Sequence, residues 1–189
     1  MKLRKLGQHG PEIGAIGYGA MSFSDFYGPT SEAASHAVLN HCREVGLTHL
    51  DTSNIYGMGR SEEAIGSYFA QHPEAKRDFV IATKASITRD ASGARIFRND
   101  RKHLESELDA SLQRMGVDQV GLFYVHRRDP AVPIEEVTES LAAIVKTGKA
   151  LGFGFSEIAP SSLRRAAKVA HVTAVQSEYS LSTRAPELG

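Results

Sequence analysis

Residues Thr48-His49-Leu50-Asp51-Thr52-Ser53-Asn54-Ile55-Tyr56 begin as a short strand and end on an acid and a phenol. Two later stretches are built the same way. Phe79-Val80-Ile81-Ala82-Thr83-Lys84 is an apolar run followed by an amine, and Val120-Gly121-Leu122-Phe123-Tyr124-Val125-His126 is one closed by an imidazole. Continuous apolar runs of this length suit strands covered on both faces. In a parallel α/β barrel all strand ends point to one face, so Asp51, Tyr56, Lys84 and His126 are expected to converge at one mouth.

The flanking sequence supplies the matching helices. Residues 1–16 read as a hairpin turning through Gly7-Gln8-His9-Gly10-Pro11, and residues 15–20 as a first core strand. Gly17 and Gly19 in that strand mark the close approach of another backbone or a ligand. A helix over 31–45 carries Ala34, Val38, Cys42 and Val45 as its apolar stripe and stops at Gly46. A second starts with Ser61 as N-cap and buries Ile65 and Phe69, and a third, capped near Asn99 or Asp100, buries Leu104, Leu108, Leu112 and Met115. Pro133 opens a fourth, which ends at Gly148. Residues 151–155 form a strand, a fifth helix from Pro160–Ser162 turns Leu163, Ala166, Ala167 and Ala170 inward, and residues 172–176 form a sixth strand.

Six strands alternating with five helices imply parallel strands and right-handed crossovers, either in a (β/α)8 barrel or in a doubly wound sheet. The doubly wound dinucleotide fold requires a glycine fingerprint. Gly57-Met58-Gly59 is followed by Ser61-Glu62-Glu63, whose acids repel a pyrophosphate. The expectation is therefore one domain over residues 1–189, an incomplete (β/α)8 TIM barrel with an N-terminal hairpin.

Composition narrows the function classes. The 189 residues carry 22 basic and 22 acidic side chains, and this balance gives no electrostatic reason to expect a nucleic acid or an anionic membrane. The single cysteine, Cys42, rules out an internal disulfide framework. No leader-like apolar segment opens the chain and no window matches a membrane span, so a cytoplasmic protein is expected. His36 and His41 share a helix without the companions a zinc site needs, so no metal is expected. Arg127-Arg128 suits either a grip on an acidic substrate or a solvated, salt-bridged pair.

The four strand-end groups suit proton transfer. A phenol titrates near 10, and an adjacent ammonium favours the phenolate. An aspartate keeps the lysine charged and oriented, and a histidine positions a carbonyl or relays a proton. The set therefore fits protonation of a carbonyl oxygen as hydride reaches the carbon, and the reverse alcohol oxidation.

Asp51-Thr52-Ser53-Asn54-Ile55-Tyr56-Gly57 followed by Ser61-Glu62-Glu63 resembles the D-T-A-x-x-Y-G-x-x-x-x-E-E signature of aldo-keto reductases. Thr83-Lys84 resembles that family's lysine segment, and residues 122–126 its histidine strand. Gly154-Phe155-Ser156-Glu157 is similar to its G-x-S-[NE] strand end, and Val175-Gln176-Ser177-Glu178-Tyr179-Ser180 to its V-Q-x-x-Y-S segment. The wording around His126 and Gln176 is most similar to the branch that includes plant perakine reductase and many bacterial members. The resemblance implies a (β/α)8 barrel that uses NADPH/NADP+ to reduce an aldehyde or ketone. It implies Tyr56 as general acid, tuned by Lys84 and Asp51, with His126 as fourth member. It places Asp51, Ser156, Gln176, Gly19, Ala20 and Met21 at the cofactor. Glu157 stands where many relatives have Asn, and an ionised carboxylate cannot donate a hydrogen bond.

A complete barrel of this class has about 250 residues. The expectation is that the last two strand–helix units are missing, with the cofactor's phosphate clamp among them and activity impaired as a result. Open edges at the first and sixth strands then offer self-association. Two other readings stay open. One is a non-catalytic remnant that binds a partner, and the other is a Schiff-base aldolase acting through Lys84.

Overall fold

The computed structural model describes residues 1–6 and 12–188, so the expected turn at Gly7–Pro11 lies outside the described residues. Strand β1 (Leu3–Lys5) pairs antiparallel with β2 (Glu12–Gly14), which gives the N-terminal hairpin. The chain then alternates: β3 (Tyr18–Gly19), α1 (Glu32–Glu44), β4 (His49–Asp51), α2 (Arg60–Gln71), β5 (Val80–Ala85). A second hairpin, β6 (Ile87–Arg89) with β7 (Arg95–Phe97), interrupts before α3 (Arg101–Met115). The alternation resumes with β8 (Val120–Val125), α4 (Ile134–Lys146), β9 (Ala150–Ser156), α5 (Pro160–Val169) and β10 (Ala174–Gln176).

Six strands form one sheet in the order β3-β4-β5-β8-β9-β10, every pair parallel. Spatial order equals chain order. A doubly wound sheet reverses direction at its switch point, so this progression is that of a barrel wall. The sheet is also curled. Four strand spacings separate β4 from β10, about 19 Å in a flat sheet. Yet Gln176 on β10 donates from Nε2 to Asp51 Oδ1 on β4 at 3.0 Å, which only an arc allows.

The two faces of the arc are filled differently. Phe123, Val125, Phe153 and Phe155 join Leu39, Ile65, Leu104, Leu108 and Leu141 in the main core between sheet and helices. Ala82, Leu122 and Tyr124 point into the arc, where Leu6 of the N-terminal segment packs on them. Gly14 N–H also donates to Thr48 Oγ1 at 2.9 Å, which holds the hairpin against the start of β4.

Local chemistry moves several elements from their expected positions. On α1 the buried side chains are Ser35, Leu39 and Cys42, while Ala34 is exposed and Val45 is 42% exposed. The polar Ser35 is tolerated inside because its Oγ donates to the Ser31 carbonyl at 3.2 Å. Helix α2 is capped by Gly59 in the left-handed region (φ +100°) and not by Ser61. Ser61 is buried instead and donates to the Ala20 carbonyl at 2.7 Å. On α5, Ser162 and Ala166 are buried and Ala167 is exposed. The expected cap falls on Asp100, whose side chain accepts from His103 N–H at 3.0 Å, and Ser31 caps α1 in the same way, accepting from Ala34 N–H at 3.2 Å.

Candidate active site

The carboxyl ends of β4, β5, β8, β9 and β10 meet inside the arc. Lys84 enters from β5 and is completely buried. An ammonium has three donors, and here each has an acceptor: Asp51 Oδ2 at 2.6 Å, the Thr52 carbonyl at 2.9 Å and Tyr56 Oη at 3.1 Å. Tyr56 stands on the turn after β4, fixed by its own N–H to the Ser53 carbonyl at 3.1 Å. Asp51 completes its other oxygen with the Gln176 amide.

His126 ends β8, and its N–H continues the ladder to the Ala85 carbonyl at 2.8 Å. Its ring meets the Tyr56 ring edge-on, centroids 5.8 Å apart. Burial first, and then the positive charges of Lys84, Arg127 and Arg95, hold its pKa down to about 3, so the imidazole is neutral at physiological pH. Its Nδ1 lies 3.0 Å from Ser53 Oγ, which is also 3.1 Å from the Lys84 carbonyl.

Ser156 and Gln176 face each other as Cα partners on β9 and β10. A hydroxyl beside a carboxamide offers the mixed donors and acceptors that another carboxamide requires, so this pair fits the nicotinamide end of a dinucleotide. Ser156 Oγ also accepts from Arg127 Nη1 at 3.0 Å. Glu157 is turned away. Its backbone lies in the left-handed region (φ +54°), and its Oε1 accepts from Glu178 N–H at 2.6 Å.

Gly19 ends β3 and Ala20 follows it, and the two part company there. A Cβ built on Gly19 would meet nothing within 4 Å, so its backbone faces open space, whereas one on Gly17 would meet His49 at 2.8 Å. Ala20 is fully buried in the main core with its carbonyl taken by Ser61, so its side chain is not brought to the mouth of the arc. Met21 does reach it. Met21, Phe26, Ile55, Tyr56, Ile87 and His126 line a cavity of about 570 Å³ together with three arginines, Arg89, Arg95 and Arg127. A larger cleft of about 710 Å³ near Arg43, Thr48 and Asp78 borders the residue before β4, at the opposite end of that strand from Asp51, and contains none of these groups. Among the described residues no cluster of His, Cys, Asp or Glu has the geometry to hold a metal ion.

Three supporting groups escaped the sequence reading. Ser53 touches His126 across 73 positions of chain, a pairing no local pattern encodes. Ser86 adopts φ +130°, costly for a residue with a Cβ. It is held there by reciprocal bonds to Arg127, Oγ to the carbonyl at 2.5 Å and N–H to Oγ at 3.3 Å. Glu62 is a fully buried carboxylate that accepts from Thr83 Oγ1 at 2.5 Å and pairs with Arg114 at 2.7 Å. The β6–β7 hairpin did leave a signal, the turn-forming residues Asp90, Ser92 and Gly93 between two short segments that carry Ile87, Thr88, Ile96 and Phe97.

A partial parallel barrel with an acid, amine, phenol and imidazole at its strand ends defines a class of α/β-barrel proteins. Residues 15–189 match the model of the aldo/keto reductase family, and the chain belongs to that family. It is 40% identical over 190 aligned positions to an aldo-keto reductase, yakc [NADP(+)], of Schizosaccharomyces pombe, covering 98% of this chain and 55% of that protein. It is 34% identical to probable aldo-keto reductase 1 of Glycine max, covering 95% of this chain and 52% of that one. The chain thus spans about half the length of these curated relatives. Among solved structures, the thermostable aldo-keto reductase Tm1743, in complex with the inhibitor epalrestat, superposes with TM-score 0.85 at 28% identity, covering 100% of this chain and 66% of that one. Aldo-keto reductase AKR11C1 of Bacillus halodurans (holo form) shares the fold, with TM-score 0.82 at 24% identity over 95% of this chain and 58% of that one.

Proposed function

We propose that residues 1–189 act as one domain that reduces an aldehyde or ketone with NADPH, and oxidises the alcohol in reverse. The observation that carries this reading is the Lys84 ammonium, bonded at once to Asp51, Thr52 and Tyr56. When bound beside this site, a reduced nicotinamide would supply the hydride for the carbonyl carbon. Tyr56 Oη gives its proton to the carbonyl oxygen, and the phenolate left behind faces the Lys84 ammonium, which stabilises it. Asp51 balances the lysine charge and fixes its direction. Neutral His126 lines the cavity beside Tyr56 and orients the carbonyl oxygen. Ser156 and Gln176 would hold the nicotinamide carboxamide, and Gly19 and Met21 would border it.

The relative named for NADP(+) supports the choice of cofactor. A Schiff-base role for Lys84 fits less well, because such an amine must attack a carbonyl and Lys84 directs all three N–H groups to protein acceptors. The outermost strands β3 and β10 each have one neighbour among the described residues. Strand addition from a second copy is therefore a second reading, which light scattering would detect as a dimer. No described helix is long and apolar enough to cross a membrane.

The test is NADPH consumption with 4-nitrobenzaldehyde, with borohydride added in a parallel sample. The reductase reading predicts consumption that Tyr56→Phe removes, and no covalent adduct on Lys84. A trapped adduct, or turnover indifferent to Tyr56, overturns it.

A further inference from the structure

The cavity beside Tyr56 and His126 has an unusual charge. Arg89, Arg95 and Arg127 line it, and no carboxylate does. Elsewhere Arg43, Arg60, Arg98, Arg101, Arg114, Arg165 and Arg184 each pair with an acid. Among the described residues these three do not, nor do Arg4, Arg77, Arg128 and Arg164; what sets Arg89, Arg95 and Arg127 apart is that they share the cavity that holds Tyr56 and His126.

Arg89 and Arg95 are direct cross-strand partners on β6 and β7. Like charges facing each other across an antiparallel pair repel and destabilise it. The nearest acid in sequence, Asp90, does not relieve them: its Oδ1 accepts from Ser92 N–H, Ser92 Oγ and Ala94 N–H and so shapes the hairpin turn. Arg89 uses one nitrogen on the Gly93 carbonyl at 2.8 Å, and Arg95 rests on the Phe97 ring, 5.6 Å from its centroid. Both guanidinium groups retain free donors. Ile87, two residues before Arg89 and on the same face of the hairpin, also lines the cavity, so an apolar wall leads to the arginine pair. The positive field extends inward, since Arg95 and Arg127 both contribute to keeping His126 neutral.

We infer that the cavity selects carbonyl compounds bearing a carboxylate, with the anionic end between Arg89 and Arg95 and the carbonyl at Tyr56 and His126. A guanidinium pair matches a carboxylate in shape and charge. This inference rests on the reductase reading, but charge selection is read from binding alone and does not require turnover.

The experiment titrates the 189-residue chain with 4-formylbenzoate and with its methyl ester, by saturation-transfer NMR. The ester keeps the ring and aldehyde and removes the charge. The wild type should bind the acid about tenfold or more tightly than the ester, and added salt should erode the difference. Arg89→Gln combined with Arg95→Gln should abolish the preference while ester binding persists, and Arg95→Lys should retain part of it. A thermal midpoint at or above wild type would show that the double variant is folded and relieved of repulsion. Equal binding of acid and ester by the wild type overturns the inference, as does an acid preference that survives the double substitution. A selective loss of affinity for 2′,5′-ADP in that variant also overturns it, by assigning the pair to the cofactor's phosphates. Selective acid binding without NADPH consumption would contradict the reductase reading alone.

Discussion

Lys84 Nζ lies 3.1 Å from Tyr56 Oη, although the lysine is completely buried on β5 and the tyrosine stands on the turn after β4. Burying an ammonium is expensive unless each of its donors is met. Asp51 and the Thr52 carbonyl meet the other two, so the phenol is the third partner of an otherwise closed arrangement. Structure and proposed chemistry thus depend on the same nitrogen.

Replacing it should damage both. Lys84→Met leaves the Asp51 carboxylate without its counter-charge and should cost about 3–5 kcal/mol of stability, measured as a lower urea midpoint at unchanged slope. Adding Asp51→Asn removes the orphaned charge and should restore part of the loss. A double-mutant cycle with no coupling would show that the pair is not an energetic unit.

His126 sets a pH dependence. Its folded pKa, about 3, lies below the ordinary value near 6.5, so between these values the unfolded chain binds a proton that the folded chain does not. Stability attributable to His126 is therefore fully present above about pH 6.5. It declines as pH falls toward 3, with a limiting slope of about 1.4 kcal/mol per pH unit. His49 and His103, also lowered chiefly by burial, act in the same direction. The difference between wild type and His126→Gln isolates the residue, and parallel stability–pH curves would refute the assignment.

Ser53 decides which imidazole nitrogen carries the proton. Its hydroxyl accepts from Ile55 N–H at 3.4 Å and has one hydrogen to offer the Lys84 carbonyl at 3.1 Å, His126 Nδ1 at 3.0 Å or Asn54 Oδ1 at 3.4 Å. Orienting a carbonyl requires Nε2–H, which follows when Ser53 donates to Nδ1. The ¹⁵N spectrum should show His126 protonated at Nε2, and Ser53→Ala should mix the tautomers and lower kcat more than it raises KM. Protonation at Nδ1 in the wild type would remove His126 from the carbonyl-orienting role.

The buried pair of Glu62 and Arg114 ties α2 to α3, and Thr83 adds β5. Arg114→Ala strands a carboxylate that is 0% exposed and should cost about 3 kcal/mol. Calorimetry would read it as a lower Tm, and an unchanged Tm would mean that the pair contributes nothing net.

The strand–helix rhythm was legible because apolar runs, caps and stops are local. Asp100 caps its helix as expected, and chain order became spatial order because parallel crossovers leave little choice. Polar residues in buried positions misled the reading. Ser35 and Ser61 both satisfy their hydroxyls on backbone carbonyls, at Ser31 and Ala20, so a hydrophobic stripe could not locate them. Asp51, Tyr56, Lys84 and His126 were legible as strand-end residues of unusual chemistry. Their scaffold was not: Ser53, Ser86 and Glu62 act through contacts set only once the arc has formed.

Transfer of label from NADPH tests the central claim most directly. With NADPH deuterated at both C4 positions and 4-formylbenzoate, the wild-type chain should yield an alcohol carrying deuterium on the carbinol carbon, and Tyr56→Phe should slow that transfer about 10²–10⁴-fold. An unlabelled product, no product from the wild type, or an equal rate in Tyr56→Phe would contradict the proposal that these four residues form a carbonyl-reducing site.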